Sequence, residues 1–252
     1  MRFTSQTSSD GVTEQFFTLD EIPGVLWTPE AARGARPRPR PLILLGHGGR
    51  QHKTAPGTVT RARHYAAAGF AVVAIDAPHH GDRPKNEQFG RIAARMRAGM
   101  AAGEDPGALV AGMHSYLAGQ AVADWQAVLT AVQRLDQVGD GPVGYCGMSM
   151  GCGLGIPLIA AEPRIGAAVL GLLGVQGLAE DAARITVPVQ FLVQWDDQMV
   201  PRNQSLALFE ALASAEKTLH ANPGKHGEVP SFEVDGSLRF FARHLSGSSH
   251  GT

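Results

Sequence analysis

A serine with a glycine two residues to either side, Gly147-Met148-Ser149-Met150-Gly151, is the segment of this chain best suited to chemistry. It follows a short apolar run at 142–146 and precedes a small-residue stretch at 152–161. A strand-to-helix turn this sharp needs glycine at both flanks, because side chains there would collide with neighbouring backbone. Such a turn projects the Ser149 hydroxyl from the edge of a sheet. It also sets the Met150 N–H at a helix N-terminus, where partial positive charge can stabilise an oxyanion.

A hydroxyl is a weak nucleophile at neutral pH and needs a base, and the base needs a group to orient it. Both occur downstream, in the order Ser, acid, His. The apolar run 187–194 leads into Trp195-Asp196-Asp197-Gln198-Met199-Val200-Pro201. A carboxylate just past a strand end can accept a hydrogen bond from an imidazole. Asp197 is chosen over Asp196 for its spacing to Val200-Pro201; the aspartate not used would be a loop or cap residue. Asn222-Pro223-Gly224-Lys225-His226-Gly227-Glu228 is a Gly/Pro loop, and His226 is the expected base. In the N-terminal half, Gly46-His47-Gly48-Gly49 follows the apolar run 41–45, and glycine lets backbone approach a substrate oxygen closely. The Gly49 N–H is the second expected oxyanion donor beside Met150. His47 is read as a brace for that loop, not as a base.

These residues need a scaffold that brings separate strand ends together. Apolar runs at 41–46, 70–75, 142–146, 167–173, 187–194 and, more weakly, 217–221 read as strands buried on both faces. Helices are expected at 58–68, 121–135, 204–213 and 231–245. Phe16–Phe17 and 25–27 suggest an antiparallel edge hairpin. Strands alternating with helices predict one α/β domain over 1–252, with a mostly parallel sheet covered on both faces. The segment 84–119 breaks the rhythm and holds its own helix-like piece at 91–102. It is expected to form a small lid over the carboxyl ends of the strands, where such sheets bind ligands. The run 35–41, rich in Pro and Arg, reads as a solvated connector, and the Ser/Gly/His tail from Ser246 as frayed.

Taken together these elements resemble the α/β-hydrolase superfamily, from about Val25 to Leu245. Asp76-Ala77-Pro78-His79-His80-Gly81-Asp82-Arg83 is similar to the Asp-x-Pro-x-His-Gly-x-Arg segment of dienelactone-hydrolase-like esterases. The resemblance implies an α/β-hydrolase fold of eight mostly parallel strands, and hydrolysis of an ester or related acyl bond. The chain departs from true dienelactone hydrolases at Ser149, where they carry Cys, which points away from dienelactone as the substrate. His80 and Arg83 are open to two readings, a structural turn or a substrate contact.

Composition bounds the alternatives. A net charge of −1 over 252 residues offers no field for nucleic acid or an anionic membrane. No run approaches the roughly 18 apolar residues of a membrane span, and the polar N-terminus lacks a secretory signal. The two cysteines, Cys146 and Cys152, fit no zinc pattern, and a reducing cytoplasm is the expected compartment. No His-x-x-x-His stands on a helix and the glycines at 151–155 lack dinucleotide spacing, so neither metal nor cofactor is expected. The expected partner is a small acyl substrate, its pocket lined by some of His80, Met113, His114, Tyr116 and Trp195. Core packing would account for Met113, His114 and Tyr116 equally well. The expected activity is a serine carboxylesterase. A thioesterase or amidase with the same triad, a carbon–carbon hydrolase or lyase, and a non-catalytic binding module are the competing readings.

Overall fold

The computed structural model describes residues 1–30 and 39–245. Most of the Pro/Arg connector and the tail from Ser246 lie outside the described residues. A mixed sheet runs in the order β1-β2-β3-β5-β4-β6-β7-β8-β9. Its strands are β1 (Arg2–Ser9), β2 (Val12–Leu19), β3 (Ile22–Pro29), β4 (Leu42–Gly46), β5 (Ala71–Ile75), β6 (Val143–Met148), β7 (Ile165–Gly171), β8 (Val189–Gln194) and β9 (Lys217–Asn222). Strands β4 to β9 pair in parallel, while β1, β2 and β3 join antiparallel at one edge.

This is nine strands, not the eight expected from the resemblance. The extra one is β1, exposed along its whole length, so no apolar alternation marks it in the sequence. It forms because Asp10 (φ 51°) and Gly11 (φ 73°) adopt the left-handed conformations that reverse a two-residue hairpin.

Helices cover both faces. On one, α1 (Pro56–Ala67) and α7 (Phe232–Leu245) bury Tyr65, Phe241 and Leu245 against strand residues such as Ile43 and Val72. On the other, α3 (Pro106–Val132), α4 (Met150–Ala161), α5 (Ala179–Ala182) and α6 (Arg202–Ala211) pack Trp125, Leu129, Ile156 and Leu208 against Leu44, Tyr145 and Phe191.

The segment expected to be a lid is helical. Asn86 caps α2 (Glu87–Ala101), accepting from Phe89 N–H at 2.7 Å, and Gly103 (φ 76°) ends the turn after it. Asp105 then caps α3, accepting from Gly107 and Ala108 N–H, with Pro106 at the first helical position. The helix expected at 121–135 therefore begins at Pro106, inside the lid segment. Glycines 107, 112 and 119 dilute the apolar stripe there, which hides its start. The apolar face of α2, through Phe89, Ile92 and Met96, packs on a small cluster formed by Met113, Leu117, Met150 and Leu154.

The C-terminal half of α3 is thus core. Leu129 is fully buried, so Leu129→Ala should cost about 2–5 kcal/mol of stability through lost contacts and a residual cavity. Urea denaturation of the variant measures this; an unchanged midpoint would contradict the packing described.

Candidate active site

The turn between β6 and α4 is under tight constraint. A Cβ on Gly147 would lie 2.5 Å from the Gly151 carbonyl oxygen, and one on Gly151 would lie 2.8 Å from the Gly46 carbonyl oxygen. Both distances are below what a real Cβ tolerates, so glycine is required at each. Between them Ser149 takes φ 54°, ψ −121°, a conformation costing a non-glycine residue on the order of 1–3 kcal/mol. Neighbouring bonds hold it there. Ser149 N–H donates to the Gly171 carbonyl at 3.0 Å, and the buried Tyr145 hydroxyl donates to the Gly151 carbonyl at 2.6 Å.

His226 and Asp197 meet this serine. His226 Nε2 is 3.0 Å from Ser149 Oγ, and its Nδ1 is 2.7 Å from Asp197 Oδ2. With Nδ1–H donating to the carboxylate, Nε2 is left as an acceptor for the hydroxyl proton. The other carboxylate oxygen, Oδ1, accepts from Met199 N–H at 2.8 Å and Val200 N–H at 3.0 Å. That pair of backbone donors is what the spacing to Val200-Pro201 provides. Burial pushes the Asp197 carboxyl upward, but the His226 hydrogen bond and the two amides outweigh it and hold the group below its ordinary value. Asp196 is exposed, and its carboxylate accepts at 3.4 Å from Gly224 N–H in the histidine loop.

Two glutamines, not anticipated from sequence, place the histidine loop. Gln194, buried at the end of β8, directs Nε2 at the carbonyls of Pro223, Lys225 and Glu228, 3.0–3.4 Å away. Gln198 Oε1 accepts from His226 N–H at 3.1 Å. A second glutamine closing a strand otherwise apolar but for Gln190 was the available signal for Gln194.

The loop after β4 brings Gly49 against Met150: a Cβ on Gly49 would lie 3.9 Å from Met150 Cβ. Met150 opens α4, so its N–H is among those a helix leaves without an internal partner. His47 braces this loop. Its Nδ1–H donates to the Gly48 carbonyl at 2.9 Å, and its Nε2 accepts from Ala77 N–H at 3.0 Å. Burial pushes its pKa down to about 4, so the ring is neutral at neutral pH.

The segment 76–83 ties the loops together. The Asp76 carboxylate accepts from Lys53 N–H and Nζ, each at 2.8 Å, and from Asp82 N–H at 2.9 Å. Lys53 Nζ also reaches Asp82. Arg83 forms a buried ion pair with Asp124 on α3. Of the two readings left open, the structural turn is thus the one that fits Arg83. Lys53 was missed because nothing in the polar run 50–54 distinguishes a buried lysine from an exposed one.

The expected pocket residues separate. His114 lines a cavity beside the Asp197 loop. Met113 packs beneath α2. Tyr116 stacks on His79, with ring centroids 5.9 Å apart. His80 donates from Nδ1 to the Pro78 carbonyl and lies 5.6 Å from the His47 ring. Trp195 is exposed, with the Arg202 guanidinium 3.9 Å over its ring. Among the described residues no three His, Cys, Asp or Glu side chains gather as a metal site, and no helix is long and apolar enough to cross a membrane.

Comparison with known proteins adds the following. The sequence profile of the dienelactone hydrolase family matches residues 59–226. A cold-adapted esterase from an Arctic intertidal metagenomic library, solved with bound PEG, is 33% identical with a TM-score of 0.78, covering 97% of this chain and 100% of its own. An acetyl xylan esterase from Paenibacillus sp. R4 shares the fold at 15% identity and a TM-score of 0.72, over 97% of this chain and 88% of its own. Acetyl xylan esterase 1 from Thermoanaerobacterium sp. JW/SL YS485 does so at 17% identity and 0.69, over 96% and 87%. No curated protein sequence gives a significant match.

Lys53 is the buried post that holds the Gly49 loop to β5. Lys53→Met should destabilise the fold by about 3–5 kcal/mol, because Asp76 would keep a buried charge without its cation. Burial raises the Asp76 carboxyl, yet Lys53 and the two amides outweigh it and lower it overall. Its stabilising contribution is therefore present above the unfolded value of about 4, and is lost as pH falls through the lower folded one. Urea midpoints of wild type and variant from pH 7 to pH 3 check both points: the gap should be wide at pH 7 and narrow on the acid side.

Proposed function

Given that this chain belongs to the dienelactone hydrolase family, we propose that it is a serine esterase working through Ser149, His226 and Asp197. The observation that carries this is the chain of short contacts from hydroxyl to imidazole to buried carboxylate, 3.0 Å and 2.7 Å long.

The reaction follows from those contacts. His226 Nε2 takes the Ser149 proton as Oγ attacks the ester carbonyl carbon. The carbonyl oxygen becomes an oxyanion between the N–H groups of Gly49 and Met150, donors that each contribute about 100- to 1000-fold in turnover. Asp197 stabilises the imidazolium and keeps its Nδ1 proton in place without taking it. The tetrahedral intermediate collapses, the alkoxide leaves with the proton from His226 Nε2, and an acyl-serine remains. Water, deprotonated by the same nitrogen, attacks the acyl carbon; the second tetrahedral intermediate then releases Ser149 Oγ, which takes back the proton from His226 Nε2. The products are a carboxylic acid and an alcohol.

The two cysteines are free and buried, and burial pushes the Cys152 thiol up to about 12. That leaves Ser149 as the nucleophile at this turn. Unpaired thiols also fit a reducing compartment such as the cytoplasm.

Ser149→Ala should lose esterase turnover by about 10⁴- to 10⁶-fold while keeping its circular dichroism spectrum. Retained activity in that folded variant would end the proposal. Asp197→Asn should lose about 10⁴-fold, whereas Asp196→Asn should stay within roughly tenfold of wild type. Steady-state kinetics on a short-chain nitrophenyl ester distinguish them, and the reverse order would move the acid by one residue.

A further inference from the structure

The loop that presents His226 leaves the sheet at Asn222, the last residue of β9, and ends at α7, whose second residue is Glu233. Gln194 and Gln198 hold the middle of this loop. Its two ends meet at Glu233. One carboxylate oxygen, Oε1, accepts from Asn222 Nδ2 at 2.9 Å, and the other, Oε2, accepts from His220 Nδ1–H at 2.9 Å. Asn222 also faces the acid loop. Its carbonyl accepts at 2.7 Å from the N–H of Trp195, two residues before Asp197. The same asparagine therefore joins the strand end that leads to Asp197 and the helix that follows His226.

Glu233 is 3% exposed and Asn222 6%. A carboxylate leaves water only at a large cost unless hydrogen bonds meet it. Here they come from Asn222 and His220, and among the described residues no lysine or arginine pairs with Glu233. Its place in the first turn of α7, where a helix carries partial positive charge, also favours the anion. Acceptors are scarce around it. A Cβ on Gly236 would lie 3.2 Å from Glu233 Oε2 and 3.8 Å from Gln190 Nε2, so both groups face one small space, and Gln190 Nε2 is buried without a partner. Without Glu233 the Asn222 amide would become a second such donor, and the end of β9 would have to shift toward water to satisfy it. His226 tolerates little of that. It keeps two contacts at once, 3.0 Å to Ser149 and 2.7 Å to Asp197, and a displacement of about 1 Å can cost on the order of 100-fold in rate.

We infer that Glu233 is a positioning residue for the Asp197–His226 contact, a clasp that fixes both ends of the histidine loop through Asn222 and His220. The inference rests on the serine-esterase reading and adds to it a residue that touches none of the reacting atoms.

The test compares wild type with Glu233→Leu and Glu233→Gln, each assayed well below its unfolding temperature. On a short-chain nitrophenyl ester, Glu233→Leu should lose about tenfold in kcat with KM within about twofold. Glu233→Gln keeps an acceptor for Asn222 and should recover most of the loss. Proton NMR reads the contact directly. A proton held between an imidazole nitrogen and a carboxylate resonates far downfield, and Asp197→Asn identifies the signal of His226 by removing it. That signal should broaden or vanish in Glu233→Leu and return in Glu233→Gln. Should Glu233→Leu fail to fold, Asn222→Ala cuts the clasp from its other side, and should lower kcat about threefold and broaden the same signal. A folded clasp variant with wild-type kcat overturns the inference. So does a loss confined to KM, a fall in kcat with the His226 signal unaltered, or a Glu233→Gln no better than Glu233→Leu. The signal is read without turnover, whereas fluorophosphonate labelling of Ser149 and ester hydrolysis by wild type report on the serine-esterase reading, so the two failures are distinguishable.

Discussion

The structure turns on how closely the first turn of α4 is pressed onto the ends of β4 and β6. Gly147, Gly151 and the Gly46 carbonyl leave no room for a side chain at either glycine. That contact forces Ser149 into a conformation non-glycine residues avoid, and so lifts its side chain clear of the sheet. The strain is small beside what α4 contributes. Cys152, Ile156 and Leu158 are fully buried, and an aliphatic side chain of that size is worth about 1.5–3 kcal/mol on burial. The hydrogen bonds to Gly171 and from Tyr145 then fix the direction of the turn.

Around this fixed point the other groups of the proposed triad and oxyanion site are carried by loops, which on their own would wander. The interior polar groups prevent that in two different ways. On the β4 side the anchor is ionic: Lys53 joins Asp76 to Asp82, and neutral His47 joins Gly48 to Ala77. On the β8 side the anchor is an uncharged amide, Gln194, which gathers three carbonyls of the histidine loop. A charged anchor suits the first loop because the buried Asp76 carboxylate accompanies Lys53 into the interior, with the exposed Asp82 at its outer side.

The pair α2 and α3 connects the core to the first turn of α4. The C-terminal half of α3 is core, while its N-terminal half walls the cavity and carries the partner for α2. Arg83 and Asp124 pin this long helix to the segment after β5. One long element thus spans from the core to the helix pair over the first turn of α4.

The parallel strands, the serine turn and the order of serine, acid and histidine were legible from sequence because each has a local cause. Burial on both faces demands continuous apolar runs, and the sharp turn demands its two glycines. Asp197 was separable from Asp196 only through a spacing rule, whose cause is the amides of Met199 and Val200. Other features depend on partners distant in the chain and leave no local trace. Strand β1 is held by backbone pairing and exposes both faces, so its residues carry no pattern. Lys53 is buried only because Asp76, 23 residues away, is brought beside it. Gln194 and Gln198 acquire a role from carbonyl and amide groups about thirty residues on. His114 looks like any helix residue until the fold buries it. Sequence settles what a segment does with its immediate neighbours, through sterics and periodic burial. Which polar groups are paired, and with what, is decided by tertiary contact, because hydrogen bonding depends on distance in space and not along the chain.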